Sequence, residues 1–175
     1  DELFWDDKDG GWFATTGDDP SILLRVKEDY DGAEPSAGSI AVDNLMTLWH
    51  LTGNETFLSK VDRTLSRFGS RLGQLGRVVP MMMAALARYH SIPTQVVLVG
   101  LRGTNDLTAL ERVVASHYLP FAVRVIVSPG EQQDELGRRL PYVKAMHMVA
   151  GAATAYVCTK FSCREPVTVP ETLNE

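Results

Sequence analysis

A mainly α-helical chain that closes with a small βαβ-like segment is the fold class this sequence predicts, on three observations. Apolar residues recur every three or four positions from Phe57 to Leu75, the period of an amphipathic helix. A second helical pattern precedes it across a Gly-containing turn, so the two read as a helical hairpin. Beyond Pro93 the period changes to two short β-branched runs flanking one helical stretch, which reads as a strand, a helix and a parallel strand.

The first 26 residues set Phe4, Trp5, Trp12 and Phe13 around Gly10 and Gly11, ahead of an extended-looking run from Ile22 to Val26. A Gly pair between aromatic runs predicts a hairpin or loop excursion rather than a helix. Residues 27 to 45, "KEDYDGAEPSAGSIAVDNL", place five acids, Lys27, a Gly and a Pro before an apolar-periodic run. Pro35 and Ser36 mark a helix entry, the Ser hydroxyl accepting from a first-turn N–H, and the helix should stop at Gly53. The next helix carries Phe57, Leu58, Val61, Leu65, Phe68, Leu72 and Leu75 between Asn54 as cap and Gly76 as stop. Pro80 opens a third helix from Met81 to His90, whose three consecutive methionines imply burial on more than one side.

Residues 1–92 thus read as helical hairpins and 93–175 as a small α/β segment with a tail. The run from Gln95 to Gly100, a helix through Leu107, Leu110, Val113 and Val114, and the run from Val123 to Val127 make the βαβ-like unit. Ala155 to Cys158 predicts a further strand, and the tail "REPVTVPETLNE" should be irregular and lie over the surface. The apolar stripe of residues 57 to 75 looks too wide for one packing partner. That implies a missing part of a larger protein or a self-association partner.

Composition narrows the function classes. At 175 residues and 45% hydrophobic, the chain suffices for one core or one and a half small ones. A formal charge of −5 with mixed signs predicts no nucleic-acid partner, and Arg63, Arg67 and Arg71 read as a solvated helix face. No apolar run approaches a membrane span and the first residues lack signal-peptide character, so the expected location is cytoplasmic, away from membranes.

Four phrases, in this order and spacing, carry a resemblance: "GGWFATTGDDPSILLRVKEDYDGAEPSAGS", "VPMMMAAL", "QVVLVG" and "ATAYVCTKFSCREPVTVPETL". Over nearly all of its length the chain resembles the C-terminal part of the thioredoxin-domain-containing family typified by spermatogenesis-associated protein twenty. The resemblance implies a partial (α/α)₆ toroid of the six-hairpin glycosidase and N-acylglucosamine 2-epimerase kind, its thioredoxin-like domain lying earlier. Two positions depart from the family pattern: Gly38 where an Asn is usual, and Val169 where an Asp is frequent.

In such a toroid the loops at one end of the inner helices grip sugar hydroxyls and ring faces. The resemblance therefore implies a carbohydrate partner and a substrate-binding set of Lys27, Asp29, Asp31, Glu34 and Ser36, with Trp12 or Tyr30 as a stacking face. Paired carboxylates are what glycoside chemistry requires. The same acids also suit a helix start, where negative charge is favoured by about 0.3–1 kcal/mol. No catalytic residue is assigned. The alternative function is a non-catalytic scaffold or interaction domain of a thioredoxin-type redox protein.

The remaining motifs are weaker. Asp29 to Gly32 imitates part of a calcium loop, but the register puts Lys27 at the first ligand position and Gly38 at the twelfth. His50, His90, His117 and His147 read as structural or surface groups. Gly100 to Thr104 lacks a phosphate-loop signature and reads as a plain strand-to-helix connection. Cys158 and Cys163 lack further zinc ligands nearby, leaving a redox or disulfide pair against two reduced thiols, the default in a cytosol. No metal and no cofactor are expected.

Overall fold

The computed structural model describes residues 2 to 174, and the chain divides into two compact units: Asp1–Trp49 with Gly53–Ser91, and His50–Thr52 with Ile92–Glu175. The first unit holds α1 (Ala37–Thr52, apart from its last turn), α2 (Glu55–Leu75) and α3 (Pro80–Tyr89), preceded by an irregular N-terminal segment. Their ends follow from sequence. Ser36 caps α1, its hydroxyl accepting from the N–H of Ser39 at 3.2 Å. Gly53 ends α1 at φ 66°, and Asn54 caps α2 through the N–H of Thr56 at 3.0 Å.

One core fills this unit. Val42, Leu45 and Met46 of α1, Val61, Leu65 and Leu72 of α2, and Met82 and Ala85 of α3 are buried together, with Trp12, Phe57 and Phe68 half-buried against them. The broad stripe of α2 therefore finds cover inside its own unit, from two helices and the N-terminal segment. Arg88 adds a polar tie between α3 and α1: its guanidinium, 7% exposed, donates to Asp43 at 2.9 Å and to the Thr47 hydroxyl at 2.8 Å.

The second unit is built on a four-stranded sheet in the order β2-β1-β3-β4, from β1 (Thr94–Val99), β2 (Val123–Val127), β3 (Thr154–Thr159) and β4 (Ser162–Cys163). β2 runs parallel to β1, Gln95 opposite Val123, through the crossover helix α4 (Asn105–Ser116). β3 pairs antiparallel on the other side of β1, with Val97 opposite Tyr156. Central β1 is buried on both faces, which is why its sequence is a continuous apolar run instead of an alternating one. Val96 and Leu98 pack with Leu107, Leu110 and Val114 of α4, while Val97 and Val99 pack with Leu140, Val143 and Met146, which follow α5 (Glu131–Arg139).

The structure corrects the expected fold class. Among the described residues there is no toroid of helical hairpins: three helices close around one core, and the rest of the chain is organised by a mixed sheet. The chain is therefore not mainly α. The βαβ-like unit is real but forms only half of that sheet, since β3 and β4 extend it on the far side of β1.

Candidate functional site

The site is built around the N-terminal segment of the first unit. Trp5 and Trp12 form an isolated antiparallel bridge with ring centroids 4.8 Å apart, so the aromatic and Gly-rich stretch is a tight excursion, as its composition implies. Gly10 and Gly11 adopt φ of 74° and 80° at its turn, and a Cβ on Gly10 would stand 3.1 Å from the Cβ of Arg63 on α2. The strand-like run before Lys27 returns alongside, the N–H of Ala14 donating to the carbonyl of Val26 at 2.8 Å.

Lys27 locks this excursion. Its ammonium donates to Asp6 Oδ2 at 2.7 Å and to the Gly10 carbonyl at 2.5 Å. The Lys27 hydrogen bond holds the Asp6 carboxyl down at about 2, helped by the N–H groups of Lys8 and Asp9. Arg25 lies 4.0 Å over the Phe13 ring and donates to the carbonyls of Leu3 and Thr15 at 2.8 and 2.9 Å. On α2, Arg63 donates to the Asp7 carbonyl, and Arg71 reaches Asp29, Nε to Oδ2 at 3.5 Å.

Between this segment and α2 lies an open cleft of about 610 Å³, with Phe13, Arg25, Lys27 and Asp29 on one wall and Arg67, Phe68, Arg71 and Gln74 on the other. Arg67 is exposed on the rim and takes part in no ion pair among the described residues. A smaller hollow of about 350 Å³ adjoins it through Asp29, lined by Tyr30, Glu34 and Ser36.

The proposed binding set thus separates into three groups. Lys27 and Asp29 do line the larger cleft. Asp29, Tyr30, Glu34 and Ser36 line the smaller hollow, where the Tyr30 ring lies over Gly32 so closely that a Cβ there would fall 2.8 Å from it. Trp12 packs on the hydrophobic core, and Asp31 is taken up by the backbone. The Asp31 carboxylate accepts from Ser36 N–H at 2.9 Å, Met81 N–H at 2.9 Å and Met82 N–H at 3.4 Å, joining the starts of α1 and α3. Burial pushes its pKa up, but hydrogen bonds from Ser36, Ser39 and Met81 outweigh that and hold it below the usual carboxylate range.

Sequence reasoning missed Arg25 and the contact of Arg71 with Asp29, whereas Arg67 is exposed as a solvated helix face should be. The signal for Arg71 was present as a basic row at helical spacing on α2, downstream of an acid-rich segment. Elsewhere the histidines are scattered: His50 is fully buried, His117 Nδ1 contacts the Val113 carbonyl at 2.8 Å, and His90 and His147 are exposed. Cys158 and Cys163 stand opposite each other on β3 and β4 and are joined as a disulfide, in contrast to the reduced default. No group of three or more His, Cys, Asp or Glu among the described residues is arranged to hold a metal, and no described helix is long and apolar enough to cross a membrane.

Fold and site together define a class: a two-unit α and β protein whose helical unit carries a mixed-charge, aromatic-walled cleft. Comparison with known proteins then gives it relatives. The chain is 36% identical over 171 residues to human spermatogenesis-associated protein 20, covering 97% of this chain and 22% of that protein. It is 34% identical to the Rattus norvegicus protein of the same name over the same share of each. An uncharacterized protein of Caenorhabditis elegans is 30% identical over 175 residues, 23% of its length. The chain is thus similar to proteins named spermatogenesis-associated protein 20, and it spans about a fifth of the length of these relatives. No protein-family model matches the chain, and no solved structure does.

Proposed function

We propose that this chain is a segment of a longer, thioredoxin-domain-containing, cytoplasmic protein of the spermatogenesis-associated protein 20 kind, and that its helical unit binds an acidic carbohydrate, a sugar acid or sugar phosphate, without hydrolysing it. The observation that carries the reading is the cleft between the N-terminal segment and α2, where Arg67, in no ion pair among the described residues, lines one wall with Arg71 and the Phe68 ring. A guanidinium pair recognises a carboxylate or phosphate by two-pronged hydrogen bonds, and an aromatic wall suits the apolar face of a sugar ring.

The reading is of binding alone because two of the nearby acids are already committed within the fold. A glycosidase requires one carboxyl kept protonated near neutral pH to donate to the leaving oxygen. Asp6 and Asp31 are both held ionised, and Asp31 has its oxygens committed to backbone N–H groups. The binding residues of this proposal are therefore Lys27, Asp29, Arg67 and Arg71.

The test is a thermal-shift screen against neutral sugars, uronic acids and sugar phosphates, repeated on Arg67→Ala. A ligand at one hundred times its dissociation constant adds about 2.7 kcal/mol of stability. The expected result is a rise with acidic sugars, lost in Arg67→Ala. No rise with any sugar would favour a non-catalytic scaffold or interaction domain of a thioredoxin-type protein instead.

A further inference from the structure

We propose that the Cys158–Cys163 disulfide is a thiol–disulfide exchange site for a dithiol reductant, and that its reduction frees the strip from Ser162 to Val167 from the edge of β3. The bond sits in a short hairpin whose turn is also tied to the start of β1, the N–H of Lys160 donating to the Pro93 carbonyl at 3.0 Å. β4 contributes only two paired positions, Thr159 with Ser162 and Cys158 with Cys163. The two-residue turn between them places Lys160 at φ 49° and Phe161 at φ 62°, left-handed conformations that tight hairpins normally give to Asn and Gly. Neither side chain favours that turn, and the disulfide on its flank is the covalent part of what holds it.

What the hairpin leads into matters more than the hairpin. Past the disulfide the chain stays on β3: the N–H of Arg164 donates to the Val157 carbonyl at 3.0 Å, and Val167 and Ala155 exchange two bonds at 2.7 and 2.9 Å. This strip covers the outer edge of β3, which would otherwise offer unpaired N–H and C=O groups. The disulfide is the covalent anchor of that cover.

The two sulfurs are unequally placed. Cys158 is 1% exposed, packed with Val97, Val99 and Val127, whereas Cys163 is exposed on the outer strand. An incoming thiolate therefore meets Cys163 first, between the flanking cations of Lys160 and Arg164. Its sulfur bonds to Sγ of Cys163, the Cys158–Cys163 bond breaks, and Cys158 departs as a thiolate that takes up a proton inside the unit. The second thiol of the reductant then attacks the sulfur of its own first thiol, releasing Cys163. Two electrons and two protons pass to the chain, and the reductant leaves as a disulfide. The bond spans neighbours five apart, and of its two half-cystines only Cys158 belongs to an apolar cluster, where as a thiol it keeps its packing against Val97, Val99 and Val127, so the bond can open while the chain remains folded.

The experiment uses the 175-residue chain, dithiothreitol as the dithiol, timed samples whose free thiols are alkylated in a denaturing quench and read by intact mass, and hydrogen exchange of backbone amides. The oxidised chain should take no label. Reduction of the folded chain should yield two labels at a rate within about tenfold of that in concentrated guanidinium, and should speed exchange at Ala155, Arg164 and Val167 by about tenfold or more while the β1 amides stay unchanged. Cys163→Ser, at an exposed position, should reproduce the faster exchange without any reductant. Reduction only through global unfolding, about a thousandfold slower than in denaturant, would overturn the exchange site. Two labels in a chain that oxidised glutathione fails to close would overturn it as well. Unchanged exchange at all three amides after reduction would overturn the release of the strip.

Discussion

The carboxylate of Asp31 lies 2.9 Å from the backbone N–H of Met81, fifty positions further along the chain, and at the same time accepts from the N–H of Ser36 at 2.9 Å. One side chain thus serves the starts of two helices and fixes α1 relative to α3 before any apolar contact is counted. Asp31→Asn keeps one acceptor oxygen but turns an NH₂ towards backbone donors. Urea unfolding at neutral pH should show a loss of about 2–4 kcal/mol.

The same group sets a pH dependence. Its folded pKa lies below the unfolded value of about 3.9, so its contribution is fully present above that value and disappears as pH falls through the folded pKa. Wild type should lose stability between pH 4 and the acid limit more steeply than Asp31→Asn, by comparison of their urea midpoints. Equal slopes would show that Asp31 carries no such linkage.

Gly10 meets two constraints at once, a left-handed backbone and the close approach of Arg63. Gly10→Ala should cost about 1–3 kcal/mol in chemical unfolding and loosen the N-terminal excursion towards proteases. Gly73, at an open helical position, is the control: Gly73→Ala should be neutral or stabilising by up to about 1 kcal/mol.

Much of the fold is legible in the sequence, because α1, α2, α3, β1, α4, β2 and β3 each carry an apolar period or a β-branched run. α5 is not, and the reason is physical. Its buried positions are Gln133 and Gly137, and Leu136 is its one apolar residue packed on the core, so there is no apolar stripe to read. The mixed sheet is likewise hidden, since an apolar run shows that a strand is buried but not which way its neighbours point. At the candidate site, Ser36 reads as a cap from its neighbours alone. The contact of Arg71 depends on a segment far earlier in the chain, 42 residues separating it from the Asp29 carbonyl.

Gln133 provides a prediction from that hidden helix. Its amide donates to the carbonyls of Val143 at 2.9 Å and Met146 at 2.6 Å. Gln133→Ala should cost about 2–3 kcal/mol. Gln133→Glu places a buried acid against two carbonyls and raises its folded pKa, so its penalty should be small below the unfolded value of about 4.3 and grow as pH rises above it. Thermal melts at pH 4 and pH 7 measure both.

A bond closing so short a loop removes about 2 kcal/mol of unfolded-chain entropy. Equilibrium unfolding of the second unit with and without reductant should differ by about that amount. A loss of more than twice that size would mean that the Cys158–Cys163 bond also holds packing within the unit.

The position of β1 bears on how the chain is made. β1 is complete once Val99 has been added, yet the strand that pairs with its second edge begins at Thr154. Synthesis across that interval takes roughly 3 to 11 s at 5–20 residues per second. For that time the apolar strand lacks a partner on at least one edge, on both until β2 has been made, and any stop codon before Thr154 makes the exposure permanent. Nonsense truncations in this stretch should therefore accumulate as aggregates or as chaperone clients, while truncations after the tail segment should stay soluble.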